Sequence, residues 1–363
     1  MTSARCFVEV DHVTQLKTLE VGLRLKEAFS ASRPGHERGL LDVQLCVFAQ
    51  DPVFSSEHGK ENRRLIEEAL EKYAGRGVDV LGSTPYVESS RSASLENIYW
   101  AIITALKYDL HLDLHLDYSL DIAPASALVW IVIHLLLEHK WPCHQSGSRR
   151  RTVCIGHCTA LTNFTNLELN ILEAQINDDN LPVYFVSLPT SDLYMMGRSS
   201  DPPKFSPSDH DGLENNQKRM NRPRGTINPI SLQQDHGLNA ALGVNNVGNA
   251  FTPFGTGDPL ALACWGVGLH HAGTEEHAKM LYECVSSGAR RAIGLEDEDE
   301  GDGLMKKIKE GGQVPKYGWL LVKNEEFVGC PGQLGMKVPA RQRRGVRDVV
   351  WDPPETRLRE VIR

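Results

Sequence analysis

Four residues able to do chemistry alternate within one stretch, Tyr108-Asp-Leu-His-Leu-Asp-Leu-His-Leu-Asp-Tyr118. Successive side chains of a strand point to opposite sides. His111, Asp113, His115 and Asp117 therefore share one face, and Leu112, Leu114 and Leu116 share the other. Imidazoles and carboxylates are the groups that bind metal ions or move protons. The leucine side must pack against something, so the polar side is aimed elsewhere. His111 and Asp113 lie deeper in the strand and read as structural polar groups. His115 and Asp117 lie at its exit, where chemistry is done.

A strand of this kind needs neighbours, and the chain supplies them in a regular order. Cys6 to Val10, Leu41 to Gln50, Val78 to Ser83, Thr152 to Gly156, Val183 to Leu188 and Asn239 to Asn245 read as strands. Thr14 to Ala31, Lys60 to Tyr73, Ser94 to Tyr108, Ala125 to His139 and Asn163 to Asn177 read as helices between them. Asp258 to Ile293 reads as a long helical region interrupted around Gly273. Repeated strand–helix units predict a parallel sheet covered on both faces. Seven units can be counted, one short of a closed (β/α)8 barrel. Sites in such barrels lie where strands end. That rule selects Gln50, Pro85 to Glu88, His115 to Tyr118, His157, Asp192 and Asn245-Asn246.

Beyond about residue 300 the pattern changes. Tyr317 to Val322 and Val346 to Trp351 read as short strands, so residues 301–363 are expected to form a small β appendage and tail after a barrel over 1–300. Residues 199–231 form a long polar loop rich in Ser, Pro, Asp, Asn and Arg.

Composition narrows the class. The 363 residues are 41% hydrophobic, with a net charge of −8, which gives no reason to expect nucleic-acid or membrane partners. Arg149 to Arg151 and Lys218 to Arg224 read as solvated loops, and Glu296 to Glu300 as an exposed acidic one. The eight cysteines lack paired spacing and read as reduced thiols of a cytoplasmic protein. Cys154 and Cys158 flank His157 and read as core thiols. The apolar run Ala127 to Leu137 is too short to span a bilayer.

Taken in order, the strand ends resemble the cytosine deaminase branch of the amidohydrolase superfamily. Val47-Phe-Ala-Gln50-Asp, Gly82-Ser-Thr-Pro-Tyr-Val-Glu88, Leu114-His115-Leu-Asp117, Gly156-His157-Cys-Thr-Ala-Leu161, Leu193-Tyr-Met-Met-Gly197-Arg198, Gly243-Val-Asn245-Asn246-Val, Pro253-Phe-Gly255 and Gly268-Leu-His270 carry the likeness, from about residue 4 to 295. Arg347-Asp-Val-Val-Trp-Asp352 resembles a closing β-strand outside the barrel. The resemblance implies a (β/α)8-type barrel and one divalent metal, zinc or iron, that activates water against a C–N bond of a ring. It implies His115 as a metal ligand, His157 as the residue orienting the water, and Gln50 as a reader of the substrate ring.

The chain departs from that pattern in places. Tyr118 stands at the position of a proton-shuttling Glu, and Asn245 at that of a metal-binding Asp. A phenol is a poor base at neutral pH, and an amide is a poor transition-metal ligand. Asp117 is then the candidate to replace the missing base. Tyr118, Asn246 and Arg198 are candidate ring contacts. Asp192 and the His270-His271 pair are candidate substrate contacts or ordinary helix-end groups. The first strand of the family, with its His-x-His pair, has no counterpart. The expectation is a barrel lacking that strand, its open edge covered by an N-terminal segment, a second copy or another partner, or else a truncated form of a longer hydrolase. Two functions remain open. One is a hydrolase or deaminase acting on non-peptide C–N bonds of a small cyclic nitrogen-containing molecule. The other is a metal-free pseudoenzyme that binds such a ring or a partner protein.

Overall fold

The computed structural model of the chain describes residues 1–31, 39–142, 151–197, 223–295, 319–329, 335 and 337–362. The 300/301 boundary, Arg198 and most of the 199–231 loop lie outside them.

Seven strands form one all-parallel sheet in chain order. They are β1 (Ser3–Glu9), β2 (Asp42–Ala49), β3 (Val78–Ser83), β4 (His111–Leu116), β5 (Val153–His157), β6 (Val183–Ser187) and β7 (Ala240–Leu242). The connecting helices include α1 (Lys17–Ser30), α2 (Gly59–Tyr73), α3 (Arg91–Lys107), α4 (Val129–Glu138), α5 (Asn166–Asn177), α6 (Pro189–Met195) and α7 (Pro229–Gln234). Local signals set several starts: the Ser90 hydroxyl caps α3, and Thr165 with Glu168 forms a reciprocal capping box on α5.

The two faces of the sheet differ. Val47, Leu81, Leu112, Leu114, Leu116, Val153, Ile155 and Phe185 point outward into the main core, shared with Ile66, Ile98, Ile102 and Val132 from the helices. The inner face holds two small apolar clusters, Cys46-Phe48-Val80 and Cys154-Tyr184-Ala241-Ala292. Between them run polar residues, among them Arg5 and Asp113.

That ion pair shows the sheet is curled. In a flat sheet β1 and β4 would lie three strand spacings apart, about 14 Å. Yet Arg5 of β1 bonds Asp113 of β4 at 2.8 Å, across the interior. The sheet is thus a barrel open between β1 and β7. Among the described residues β1 pairs only with β2, and Phe7, whose ring packs inward on Phe48, remains 41% exposed.

The expected long helix after β7 is three: α8 (Pro259–Leu269), α9 (Glu275–Cys284) and α10 (Ser287–Ala292). Asp258 and Thr274 cap the first two. The last spans the open side at the strand N-termini. Ala289 and Ala292 pack on β5, β6 and β7 residues, and Arg290 Nη1 donates to Ser3 Oγ on β1 at 2.6 Å. Gln44 Nε2 donates to Ile293 O just after it, at 2.8 Å.

The tail departs from the sequence reading at one element. Val346–Trp351, expected as a strand, is a helix, α11. Helical spacing lets Val350 enter a core of α8 and α9 side chains, including Leu262 and Leu281. The strand resemblance assigned to Arg347–Asp352 is corrected accordingly. The strand expected over Tyr317 to Val322 is present as β8 (Trp319–Val322), with further short strands β9 (Phe327–Gly329), β10 (Lys337–Pro339) and β11 (Arg359–Ile362), paired antiparallel as β8 with β11 and β9 with β10. Among the described residues no helix is long and apolar enough to cross a membrane.

Candidate functional site

The strand that carries His115 keeps its alternation only as far as Leu116. Asp117 adopts φ +50°, a left-handed conformation uncommon outside glycine, and leaves the polar face. Its carboxylate turns to the start of α4, where it accepts the N–H of Leu128 at 2.8 Å and of Val129 at 2.9 Å. These are N–H groups that the helix itself leaves unpaired. The structure therefore engages Asp117 as a helix cap instead of presenting it beside His115.

His157 ends β5 in a similar way. His157 and Cys158 take φ +63° and +45°, two successive left-handed residues. Such conformations cluster at functional sites, where the surroundings over-determine them. The turn carries the imidazole to Asp192 at the start of α6. His157 Nδ1 lies 2.6 Å from Asp192 Oδ1, and both groups are buried, the carboxylate completely. Asp192 Oδ2 accepts from Thr226 Oγ1 at 2.7 Å, and Thr226 meets Ser187 Oγ at 2.9 Å. A carboxylate can only accept, so Nδ1 is the donor of this bond, and in the neutral ring the lone pair is then on Nε2. This is the geometry of a general base held by a carboxylate.

Aromatic rings enclose that imidazole. Tyr118 lies 4.3 Å from the His157 ring between centroids, His115 5.0 Å at 87°, and Tyr86 6.2 Å. Tyr86 and Tyr118 meet edge to face at 5.6 Å. Phe48 and Phe7 continue the wall on the far side of His115. The side chain of Gln50 lies close enough to the Tyr86 phenol to influence its ionisation. Burial pushes that phenol above its ordinary value, with the Asp192 charge adding and Gln50 opposing. Burial, then the neighbouring His157, holds His115 well below the ordinary histidine range, so it is neutral near pH 7. Burial raises the Asp113 carboxyl, and the Arg5 guanidinium opposes the rise.

The residues fit a metal poorly. His115 Nε2 faces Asp113 Oδ1 at 3.6 Å, and Arg5 already claims that carboxylate. His157 has one nitrogen committed to Asp192. Asn245, the expected further ligand, is exposed at φ +63°, and neither it nor half-buried Asn246 has a described bond into the site. Among the described residues the one set of three His, Cys, Asp or Glu ligand atoms lying together is Glu9, Asp11 and Asp51. It contains no histidine, and Asp11 is occupied by Val13 and Thr14. A transition-metal site needs three or more well-placed donors. His115 and His157 with an exposed amide do not make one.

A separate cavity of about 130 Å³ opens at the opposite end of the strands, lined by residues including Lys26, Asp79, His111 and Arg151. Its cations are paired, Lys26 with Asp79 and Arg151 with Asp109, and His111 is bonded to Thr152. It is remote from the His157 mouth.

Of the expected site residues, the fold gathers His115, His157, Tyr118 and Gln50. It directs Asp117 to α4 and leaves Asn245 and Asn246 apart from the rings. Arg198 lies outside the described residues. Tyr86 and Asp192 join the group, both at strand ends that the sequence marks. Thr226 gives no local signal, because its place depends on how the polar loop returns to the sheet.

The fold is shared with solved structures. One is 5-methylcytosine deaminase from Klebsiella pneumoniae liganded with 5-fluorocytosine, with 20% identity, a TM-score of 0.61 and coverage of 84% of this chain and 61% of that one. Another is N-isopropylammelide isopropylaminohydrolase from Burkholderia multivorans ATCC 17616, with 20% identity, a TM-score of 0.57 and coverage of 82% and 60%. The chain thus spans about three fifths of the length of these structures. No family model matches it, and no curated protein does.

Proposed function

We propose that this chain is an amidohydrolase-like enzyme that hydrolyses a non-peptide C–N bond of a small planar ring, an amidine or amide. The observation that carries the reading is the buried His157–Asp192 pair, whose imidazole lies among aromatic rings at the C-terminal mouth of the barrel. Two of the solved structures that share the fold are a deaminase and an aminohydrolase, which supports the reaction class. The ordered strand-end motifs support the same class.

The residues present suggest how the reaction runs. The ring stacks against Tyr118 and Tyr86, and the Gln50 amide reads its edge. His157 Nε2 takes a proton from a water as the water oxygen bonds the ring carbon. The protonated imidazole is stabilised by Asp192. It then returns the proton to the departing nitrogen as the C–N bond breaks, so the enzyme ends as it began. Because the donor set fits a metal poorly, no step is assigned to one. Tyr118 donates or accepts a hydrogen bond and does not act as the base.

The test is release of ammonia or amine from a panel of cyclic amidines and amides, comparing wild type with His157→Gln. The expected result is turnover of at least one compound, reduced by about a hundredfold or more in the variant. Turnover retained by His157→Gln, or no turnover across the panel, would overturn the reading. Saturable ring binding without turnover would favour a binding protein instead.

A further inference from the structure

Beneath the two histidines lies a charged link that the chemistry above does not use. Arg5 sits on the open-edge strand β1, and its guanidinium crosses the barrel to the opposite wall. Nη1 donates to Asp113 Oδ2 at 2.8 Å and to Cys154 Sγ at 3.2 Å, and Nε donates to Gln44 Oε1 at 3.2 Å. The Arg5 and Asp113 side chains are only 4% and 6% exposed. The other Asp113 oxygen, Oδ1, lies 3.6 Å from His115 Nε2.

Asp113 and His115 are two residues apart on one face of β4. At 3.6 Å the two groups are in electrostatic contact, longer than a hydrogen bond, and the imidazole is turned down its own strand, away from the mouth. Room for that pose comes from β5. A Cβ at Gly156 would lie 2.8 Å from His115 Cδ2 and 3.0 Å from Nε2. A neutral imidazole has one N–H to place, and a fixed carboxylate favours placing it on the nitrogen it faces. The guanidinium, always charged, fixes where that carboxylate sits.

We infer that Arg5 is a positioning residue for the site: through Asp113 it holds His115 as the Nε2–H tautomer with its ring turned into the barrel. His115 is then a wall of the enclosure, and the lone pair at the mouth belongs to His157. The inference rests on the reading of this mouth as the reactive site, but its test does not use turnover.

The test is nitrogen-15 NMR of the imidazole rings in the full chain, with His115→Gln used to assign the His115 signals. Wild type is expected to show His115 as a single Nε2–H tautomer. Arg5→Gln is expected to shift His115 toward Nδ1–H and leave His157 unchanged, while Arg5→Lys keeps the wild-type pattern. Asp113→Asn serves if Arg5→Gln does not fold. Its carbonyl is drawn to Arg5 and its NH2 faces His115 Nε2, which demands a lone pair there and so the Nδ1–H tautomer. A mixed tautomer in wild type, or a His115 pattern unmoved in both variants, would overturn the inference. If the spectra change as expected while no ring compound is hydrolysed, Arg5 keeps its role and only the activity reading falls.

Discussion

Replacing Asp117 by Asn separates two roles for one carboxylate. If it acts as a base, Asp117→Asn slows turnover by about a hundredfold or more and leaves folding intact. The structure favours a different outcome. Both carboxylate oxygens accept buried backbone N–H groups at the start of α4, at 2.8 and 2.9 Å. Hydrogen bonds to charged groups are worth about 1.5–3 kcal/mol each, and a buried N–H left without a partner costs about 1–3 kcal/mol. Asn keeps one accepting oxygen and turns its own N–H toward the second donor. One N–H is stranded at about 1–3 kcal/mol and the remaining bond weakens from charge-assisted to neutral by about 1 kcal/mol, a sum near 3 kcal/mol. The carboxylate's own burial, which raises its pKa and works against the charged form, offsets part of this. The net expected loss is about 2–3 kcal/mol. Equilibrium unfolding in urea near neutral pH reads it directly. Asp117→Asn with a stability within about 0.5 kcal/mol of wild type would refute the capping argument, since surface-like changes stay in that range.

Two further outcomes test the packing and the charge states. Gly156→Ala places a methyl group 2.8 Å from the His115 ring and is expected to destabilise the chain by about 1–3 kcal/mol, seen as a lower unfolding midpoint; an unchanged midpoint would mean the ring is free to move aside. His270 is pushed down to about 4, chiefly by burial, with His271 adding, and His115 is depressed as well. Below about pH 6.5 the unfolded chain takes up protons that these folded histidines refuse, so stability present above that pH is lost as it falls toward 4, by up to about 1.4 kcal/mol per pH unit for each. His270→Gln is expected to flatten the stability curve between those values, and an unaltered slope in chemical denaturation would contradict it.

Much of the fold was legible because parallel strands buried on both sides read as apolar runs between amphipathic helices. Val78–Ser83 falls where the pattern puts it, and β4 shows which face is which. The pattern failed at Val346–Trp351, where a short run with three valines satisfies strand and helix alike. Only its contact with α8 and α9 decides. In the site, His115, His157, Tyr118 and Gln50 were marked by strand ends. What alternation could not give is the left-handed turn at Asp117, which removes that side chain from the face it should share. Nor could spacing show that Arg5, beside an apolar strand, reaches across the barrel to Asp113, because that contact exists only once the sheet curls.

In the proposed function His157, oriented by Asp192, handles the proton without help from a bound metal. The most direct measurement is the hydrolysis rate of a turned-over ring compound before and after exhaustive chelation, with zinc and iron content determined on the same samples. Chelation is expected to leave the rate unchanged, in protein holding less than about a tenth of an equivalent of either metal. A rate that disappears with the metal and returns when zinc or iron is added would contradict it.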